Sequence, residues 1–495
     1  MEPNLLQMYP LRSLTACKAF PTKIESGTVS MLMAEPDNLV SLTKLEFAAD
    51  LDVLPVKCTS AEIDKLLQEH SHEAKNADSP FATLAEAMKR ERLDEVSAGS
   101  TDDLKKSSQA EPVVKMVDMI IDEAIKAGAS DIHIEPNEDK VLVRNRIDGL
   151  LRNKAELPHW MSSALTSRIK ILADLDIAEK RVPQDGRIKR TVDGISIDLR
   201  ISTLPTHFGE KTVIRVLRHT ADLFSLENLG YTDDEIKIVN DLIHKPQGII
   251  FVTGPTGSGK SSSLFAFLNR IKGKEINITT IENPIEIKLS GINQVQVNEK
   301  AGLTFASTLR SILRQDPDVI LIGEIRDKET AEIAIRAAQT GHLVFSTLHT
   351  NDAISAITRL RDLGIEPFLT ASSLLSVIAQ RLVRRICPHC KERFEPSEML
   401  MFKYRHLFGD VEIPDSYIGK GCNRCNNTGF EGRVGVFELL VLNQDLRQMI
   451  MDRKNDIEIK EMAMRSGMRP IHINGLAKVR EGITSMEELL RVVSV

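Results

Sequence analysis

Two rhythms of apolar residues divide the chain. In the first, Val113, Val117, Ile120, Ile121, Ala124 and Ile125 recur at the three- and four-residue intervals of a helix with one buried face. Residues 130–135, 141–147 and 195–201 then alternate apolar and polar positions as half-buried strands do. Turns at Asp148-Gly149 and Asp193-Gly194 break the pattern. This stretch predicts a small α+β domain ending near Leu217. Further on the rhythm changes to short, largely apolar runs at 248–253, 276–281, 319–322 and 343–347, separated by helical stretches. Such runs predict strands of a parallel sheet covered on both faces. From about 443 onward the spacing is mostly helical.

Before residue 111 the pattern is weaker. Short apolar runs such as 29–33 mix with a helical stretch near 61–69, and no chemical motif appears. Residues 97–110 are polar, rich in small side chains and nearly free of apolar ones, which predicts a flexible linker. No internal repeat is visible.

Composition narrows the classes. A length of 495 residues implies about three or four domains. Aromatic residues make up only 4%, with one Trp, and the net charge is −6, which argues against a nucleic-acid partner read by base stacking or phosphate attraction. No apolar stretch reaches the roughly 18–20 residues that span a bilayer. The first residues lack the basic and apolar regions of a secretory signal. The expectation is a cytoplasmic protein with no membrane span, associated with a membrane only through partners.

Residues 248–253 lead directly into Gly254, Pro255, Thr256, Gly257, Ser258, Gly259, Lys260, Ser261 and Ser262. Every fixed position of the P-loop pattern is filled, after a strand and before a helix. Glycines let successive N–H groups wrap a phosphate, and the helix presents its positive end to the same anion. Lys260 then reaches the β- and γ-phosphates of ATP, and the Ser261 hydroxyl ligates Mg²⁺. The run 319–322 ends in Gly323-Glu324, four apolar residues followed by an acid. Glu324 there either holds magnesium through water and polarises the attacking water, or is an ordinary solvated acid at a strand end. Glu282, with Glu286 one turn on, poses the same choice. His342 and His349 bracket 343–347; they either sense a γ-phosphate or serve a structural purpose. Arg200 and Arg215, taken alone, read as solvated strand residues.

Cys387 and Cys390 form one C-x-x-C pair, Cys422 and Cys425 a second. Two such knuckles suit a closed tetrathiolate shell for structural Zn²⁺. An iron–sulfur cluster and disulfide chemistry are alternatives, and His389 is a weaker candidate ligand. Cys17 and Cys58 read as buried apolar residues.

Together these motifs resemble the GspE/PilB family of type II secretion and type IV pilus motor ATPases. The resemblance rests on Gly-Ala-Ser-Asp-Ile-His-Ile-Glu-Pro at 128–136, Arg-Ile-Asp-Gly at 146–149, Pro-Gln-Asp-Gly-Arg at 183–187 and the P-loop. It continues through Leu-Arg-Gln-Asp-Pro-Asp at 313–318, Gly-Glu-Ile-Arg-Asp at 323–327, Thr-Gly-His-Leu at 340–343 and Ser-Thr-Leu-His-Thr-Asn at 346–351. It implies a multidomain α/β chain: an N-terminal docking domain at 1–95, a linker at 96–110 and a PAS-like α+β second domain at 111–217. A RecA-like P-loop ATPase core at 218–386, a zinc-binding tetracysteine insertion at 387–429 and a C-terminal helical region at 430–495 follow. The resemblance further implies a homo-hexamer, ATP bound between the second domain and the core, and inner-membrane platform proteins as partners of the N-terminal domain. It labels the Glu282 stretch an Asp box, Glu324 the Walker B acid, and His342 and His349 the His box. It brings Arg200 and Arg215 to the phosphates. One position departs from the family: Asn283 stands where Glu-Asp-Pro is usual. The tetracysteine element argues against retraction motors. About 110 residues precede the second domain, without a recognisable cyclic-dinucleotide module, and this favours type II secretion over pilus assembly. A nucleotide-switched scaffold with little turnover is the reading from outside the class.

Overall fold

A computed structural model describes residues 17–25, 28–49, 51–60, 110–218, 224–409 and 415–493, together with a few isolated positions before 110. Most of the expected linker at 96–110, and most of the helical stretch near 61–69, lie outside the described residues.

Among the described residues, three larger sheets and one two-stranded antiparallel sheet organise the fold. Near the N-terminus, β1 (Ala19–Glu25), β2 (Thr28–Met33) and β3 (Asp52–Lys57) form a sheet in that order. Val29, Met31 and Met33 alternate into a small core with Phe20 and Leu45. The second sheet comprises β4 (Asp131–Pro136), β5 (Lys140–Ile147), β6 (Leu150–Pro158), β7 (Gln184–Val192), β8 (Ile195–Thr206) and β9 (Gly209–Arg218), in the order β6-β5-β4-β9-β8-β7. Its neighbours are antiparallel, so one face can stay polar. The other face is covered by helices Glu111–Lys126 and Ser162–Leu172, whose apolar stripes meet Ile132, Ile134, Leu199 and Ile214.

The third sheet carries the P-loop. It contains β10 (Gly248–Thr253), β11 (Ile278–Glu282), β12 (Asn293–Gln296), β13 (Val319–Ile322), β14 (Leu343–Leu348), β15 (Leu374–Ile386) and β18 (Phe430–Val441), in the order β12-β11-β13-β14-β10-β15-β18. All pairings are parallel except β15 with β18. The apolar runs seen in the sequence are apolar because both faces are buried. Ile249, Phe251, Ile320, Ile322 and Val344 face one core, with helices Lys328–Gln339 and Ala353–Asp362. Ile250, Val252, Val319, Leu321 and Phe345 face the other, with helix Lys260–Ile271. That alternation is the strand period of two expressed in a strand that lacks a wet side.

Two sequence expectations shift here. The strand expected at 276–281 occupies Ile278–Glu282, which places Glu282 inside the strand rather than beyond it. The region expected to be helical from 430 opens with β18, the antiparallel partner of β15. Its Glu431 and Arg433 sit among apolar residues, and the strand became visible only through its pairing. Between β15 and β18 the chain makes an excursion with the short hairpin β16 (Lys391–Phe394) and β17 (Ser416–Gly419) and helix Glu398–Phe408.

The C-terminal helix Met486–Val493 is fastened to this excursion's base. Glu488, with its side chain fully buried, accepts from Arg384 Nε at 3.0 Å and Nη2 at 2.8 Å, and from Arg491 Nη2 at 2.7 Å. The Arg384 guanidinium also stacks 3.9 Å over the Phe430 ring. Burial pushes the Glu488 carboxyl up, but hydrogen bonds from Arg491 and Arg384 outweigh it and hold the group below its ordinary value. A depressed folded pKa contributes stability that is present above the unfolded value of about 4.3 and is lost as pH falls through the folded one. Glu488→Gln therefore costs about 3 kcal/mol at pH 7. Thermal melts of both proteins should converge as pH drops below about 4.3.

Candidate functional site

Strand β10 ends in Thr253, and the chain turns at once into the loop 254–259 and helix Lys260–Ile271. The glycines are required by space as well as by angle. Gly254 has φ 144° and a Cβ there would lie 2.4 Å from the Gln380 carbonyl; Gly259 has φ 87° and a Cβ there would lie 2.8 Å from the Gln380 amide nitrogen. Pro255, Thr256, Gly257 and Ser261 are exposed on the rim, Ser262 is half-buried, and Ser258 is buried. Lys260 Nζ donates to the carbonyls of Gly254 at 2.8 Å and Pro255 at 3.2 Å. Burial lowers its pKa, against the nearby charge of Glu324. A tight turn with a helix N-terminus behind it, one ammonium folded over it and an exposed Ser261 hydroxyl at its edge fits a magnesium nucleotide.

The strand order β13-β14-β10 decides which groups join the loop. Glu324, just past β13, and His349, just past β14, stand at the same carboxyl edge as Lys260. Glu324 is 15% exposed; its Oε2 lies 2.7 Å from Arg326 Nε and 3.6 Å from His349 Nε2. Burial lowers the His349 pKa and the Lys260 charge lowers it further, against the pull of Glu324, so the imidazole is neutral at pH 7.

The remaining expected residues are elsewhere. His342 precedes β14, so it sits at the opposite, amino edge of the sheet, its Nδ1 against the Ala337 carbonyl at 3.0 Å. The strand between the two histidines is six residues long and separates them by about 20 Å. Within this chain His342 does not join the P-loop. Glu282 ends β11, three strands from β10 and so about 14 Å from it. It is buried and accepts from Thr280 Oγ1 at 2.6 Å and Gln294 Nε2 at 3.0 Å, and burial raises its pKa. Those bonds tie it to its own sheet edge. Asn283, at the family's usual Asp position, is exposed.

Arg200 and Arg215 lie on the polar face of the second sheet. The register pairs Arg187 with Arg200, Arg200 with Arg215, Arg215 with Asp131 and Asp131 with Arg146, so one row across five strands holds four arginines and one aspartate. Directly opposed like charges are unfavourable. Arg215 Nε pairs with Asp131 at 3.1 Å. Arg200 Nη2 donates to the Ile285 carbonyl in the segment following β11 at 2.6 Å. Burial lowers the Arg200 pKa, with Arg187 and Arg215 adding to the effect against Glu286. Arg187, Arg200, Arg215 and Pro284 line an open cleft of about 470 Å³ between this sheet and the core. In this structure both arginines face the Asp-box segment and not the loop 254–259.

Two residues beside the loop escaped the sequence reading. Gln380 and Arg381 are buried consecutive polar residues on β15, which pairs with β10. Arg381 Nη2 donates to Asn351 Oδ1 at 3.3 Å, and its charge is felt by Lys260. The signal was present in Ile378-Ala379-Gln380-Arg381-Leu382, two polar side chains inside an apolar run.

The four cysteines converge. Cys387 and Cys422 Sγ are 3.9 Å apart, Cys390 and Cys425 3.8 Å, Cys422 and Cys425 3.7 Å, and all four lie within 4.8 Å of one another. Zinc–thiolate bonds of about 2.3 Å in a tetrahedron set the sulfurs about 3.8 Å apart. A disulfide needs about 2.05 Å. Burial raises the Cys387 and Cys390 thiols, the latter to about 12; for Cys425 the N–H groups of Cys422 and Gly429 outweigh burial and bring it down to about 6. The cluster thus fits zinc, and a chelator should remove about one zinc per chain in a wild-type preparation. Cys390→Ser should lose that metal and melt at lower temperature.

A mainly parallel sheet with a P-loop at an interior strand, an acid on the next strand but one and a histidine between them defines a P-loop ATPase with a RecA-like core. The chain belongs to the type II/IV secretion system protein family, whose family model matches residues 106–491. Residues 1–77 match the MshEN domain. The chain is 44% identical over 95% of its length to the type IV pilus assembly ATPase PilB of Thermus thermophilus, and spans 52% of that protein. It is 45% identical over 92% of its length to the type II secretion system ATPase E of Vibrio cholerae, covering 87% of it. A solved structure of the pilus retraction motor PilT with bound ADP superposes with a TM-score of 0.52 at 28% identity, covering 75% of this chain and 95% of that one. The chain is therefore an ATP-hydrolysing enzyme of the secretion and pilus class, and no helix among the described residues is long and apolar enough to cross a membrane.

Proposed function

We propose that the chain is the motor ATPase of a type II secretion system, working as a homo-hexamer that powers pseudopilus growth from the cytoplasmic side of the inner membrane. The observation that carries the enzymatic part is the convergence of Lys260, Glu324 and His349 at the ends of β10, β13 and β14. Lys260 and the loop N–H groups hold the phosphates of ATP, and Ser261 holds magnesium, which neutralises charge on the phosphate oxygens. Glu324 orients the attacking water, and neutral His349 steadies that carboxylate. Arg200 and Arg215 complete the site when the second sheet turns from the Asp-box segment towards the loop, supplying guanidinium donors to the phosphoryl oxygens. Glu282 and His342 act from outside the loop: Glu282 fixes the segment that Arg200 grips, and His342 lies at the sheet's far edge, where a neighbouring subunit can reach it. The tetracysteine element holds structural zinc. The N-terminal domain engages inner-membrane platform proteins of the machine.

Type IV pilus assembly is the second reading, favoured by the 44% identity to the Thermus ATPase. Complementing matched strains that lack either the secretion ATPase or the pilus-extension ATPase separates the two: restored export with no pili supports the first, and the reverse outcome supports the second.

Purified protein should hydrolyse ATP at least about 100-fold faster than Glu324→Gln, with nucleotide binding retained in the variant. Equal, slow hydrolysis by both would leave only a nucleotide-switched scaffold. Removing residues 1–95 should abolish sedimentation with membranes containing the platform proteins and leave basal hydrolysis intact. Continued co-sedimentation would refute the docking role.

A further inference from the structure

Gln380 is fully buried, yet one end of its amide is unused. Its Oε1 accepts from Ser263 Oγ at 2.7 Å, and Tyr231 Oη donates in turn to Ser263 Oγ at 3.3 Å. In this arrangement the Ser263 hydroxyl gives its proton to the carbonyl end of the amide and receives one from Tyr231. The Nε2 end has no partner among the described residues. It is aimed at the P-loop: a Cβ on Gly259 would meet it at 2.8 Å, and a Cβ on Gly254 would meet the Gln380 main-chain carbonyl at 2.4 Å. A buried N–H without an acceptor is costly, and an apolar residue would fill this wall as well.

The loop carries the matching need. The carbonyls of Gly254 and Pro255 accept from Lys260 Nζ. When Lys260 turns to a nucleotide phosphate, it withdraws that donor from both. We propose that Gln380 is a positioning residue of the P-loop, its Nε2 taking over a loop carbonyl released by Lys260 and thereby stabilising the nucleotide-bound shape of the loop. The exchange replaces one of the two bonds that the lysine withdraws when it changes partners. Tyr231, stacked on Phe437 at 3.6 Å and placed just before helix Asp233–Ile243, anchors the far end of the same chain of bonds. The inference rests on Lys260 binding nucleotide.

Gln380→Met keeps the volume and removes Nε2. In the full chain it should weaken Mg·ADP binding by about three- to tenfold, measured by fluorescent-nucleotide displacement. Its melting temperature without nucleotide should change little, because removal of the orphaned Nε2 offsets the loss of the Ser263 hydroxyl's acceptor, and the stabilisation conferred by saturating Mg·ADP should shrink. A purely structural glutamine predicts the opposite pattern, a lower melting point without nucleotide and an undiminished increment with it. That outcome, or an affinity within twofold of wild type, would overturn the proposal. If Gln380→Met does not accumulate as folded protein, Ser263→Ala carries the test: it frees the amide to turn, and should weaken Mg·ADP in the same direction. Unchanged affinity in Ser263→Ala would then count against the role. Failure of the wild-type chain itself to bind Mg·ADP would instead sink the nucleotide reading on which the inference stands.

Discussion

The contact on which the molecule depends is the close parallel packing of β10 between β14 and β15. Because β14 lies on one side, His349 and, one strand further, Glu324 arrive beside the lysine. Because β15 lies on the other, Gln380 presses its backbone and side chain against glycines that tolerate no Cβ. The loop is therefore shaped from behind before any phosphate arrives from in front. Binding then requires little reorganisation of backbone, which is how a site spends its interaction energy on the ligand.

Much of this was legible in the sequence, and for a definable reason. A P-loop is local: eight consecutive residues carry the glycines, the lysine and the serine, and the flanking strand and helix announce themselves by their apolar pattern. The four cysteines were legible because two short knuckles share one chemistry. Groups whose position depends on strand order were less legible. Glu282 and Glu324 look alike in sequence, an acid at the end of an apolar run, but β13 lies one strand nearer to the loop than β11. His342 and His349 bracket one strand, and a strand puts its two ends on opposite edges of the sheet. Strand β18 was hidden by its polar start, and Gln380 by belonging to a strand whose partner could not be guessed.

The second sheet presents a different kind of economy. Its row of Arg187, Arg200, Arg215, Asp131 and Arg146 is set by antiparallel register, so the charges stand as close as strand spacing allows. Sheets avoid such rows where stability alone matters. Here one aspartate and one main-chain carbonyl offset part of the repulsion, and the cleft beside Pro284 is left positively charged. The face is poised for anions while the opposite face does the ordinary work of burying helices.

The tetracysteine excursion leaves β15 and returns in β18, and the register sets Ile386 directly across from Phe430. Its two ends are thus neighbours on a hairpin that is already complete below them. Evolution could trim the whole excursion to a short turn, or enlarge it, without disturbing the order of strands in the sheet. Loss would expose mainly the tip of the hairpin and the apolar side of the last helix. The element is thus built onto the far tip of a hairpin whose first strand is the immediate neighbour of the P-loop strand, and its Tyr404 and Phe408 share a core with that hairpin and the last helices.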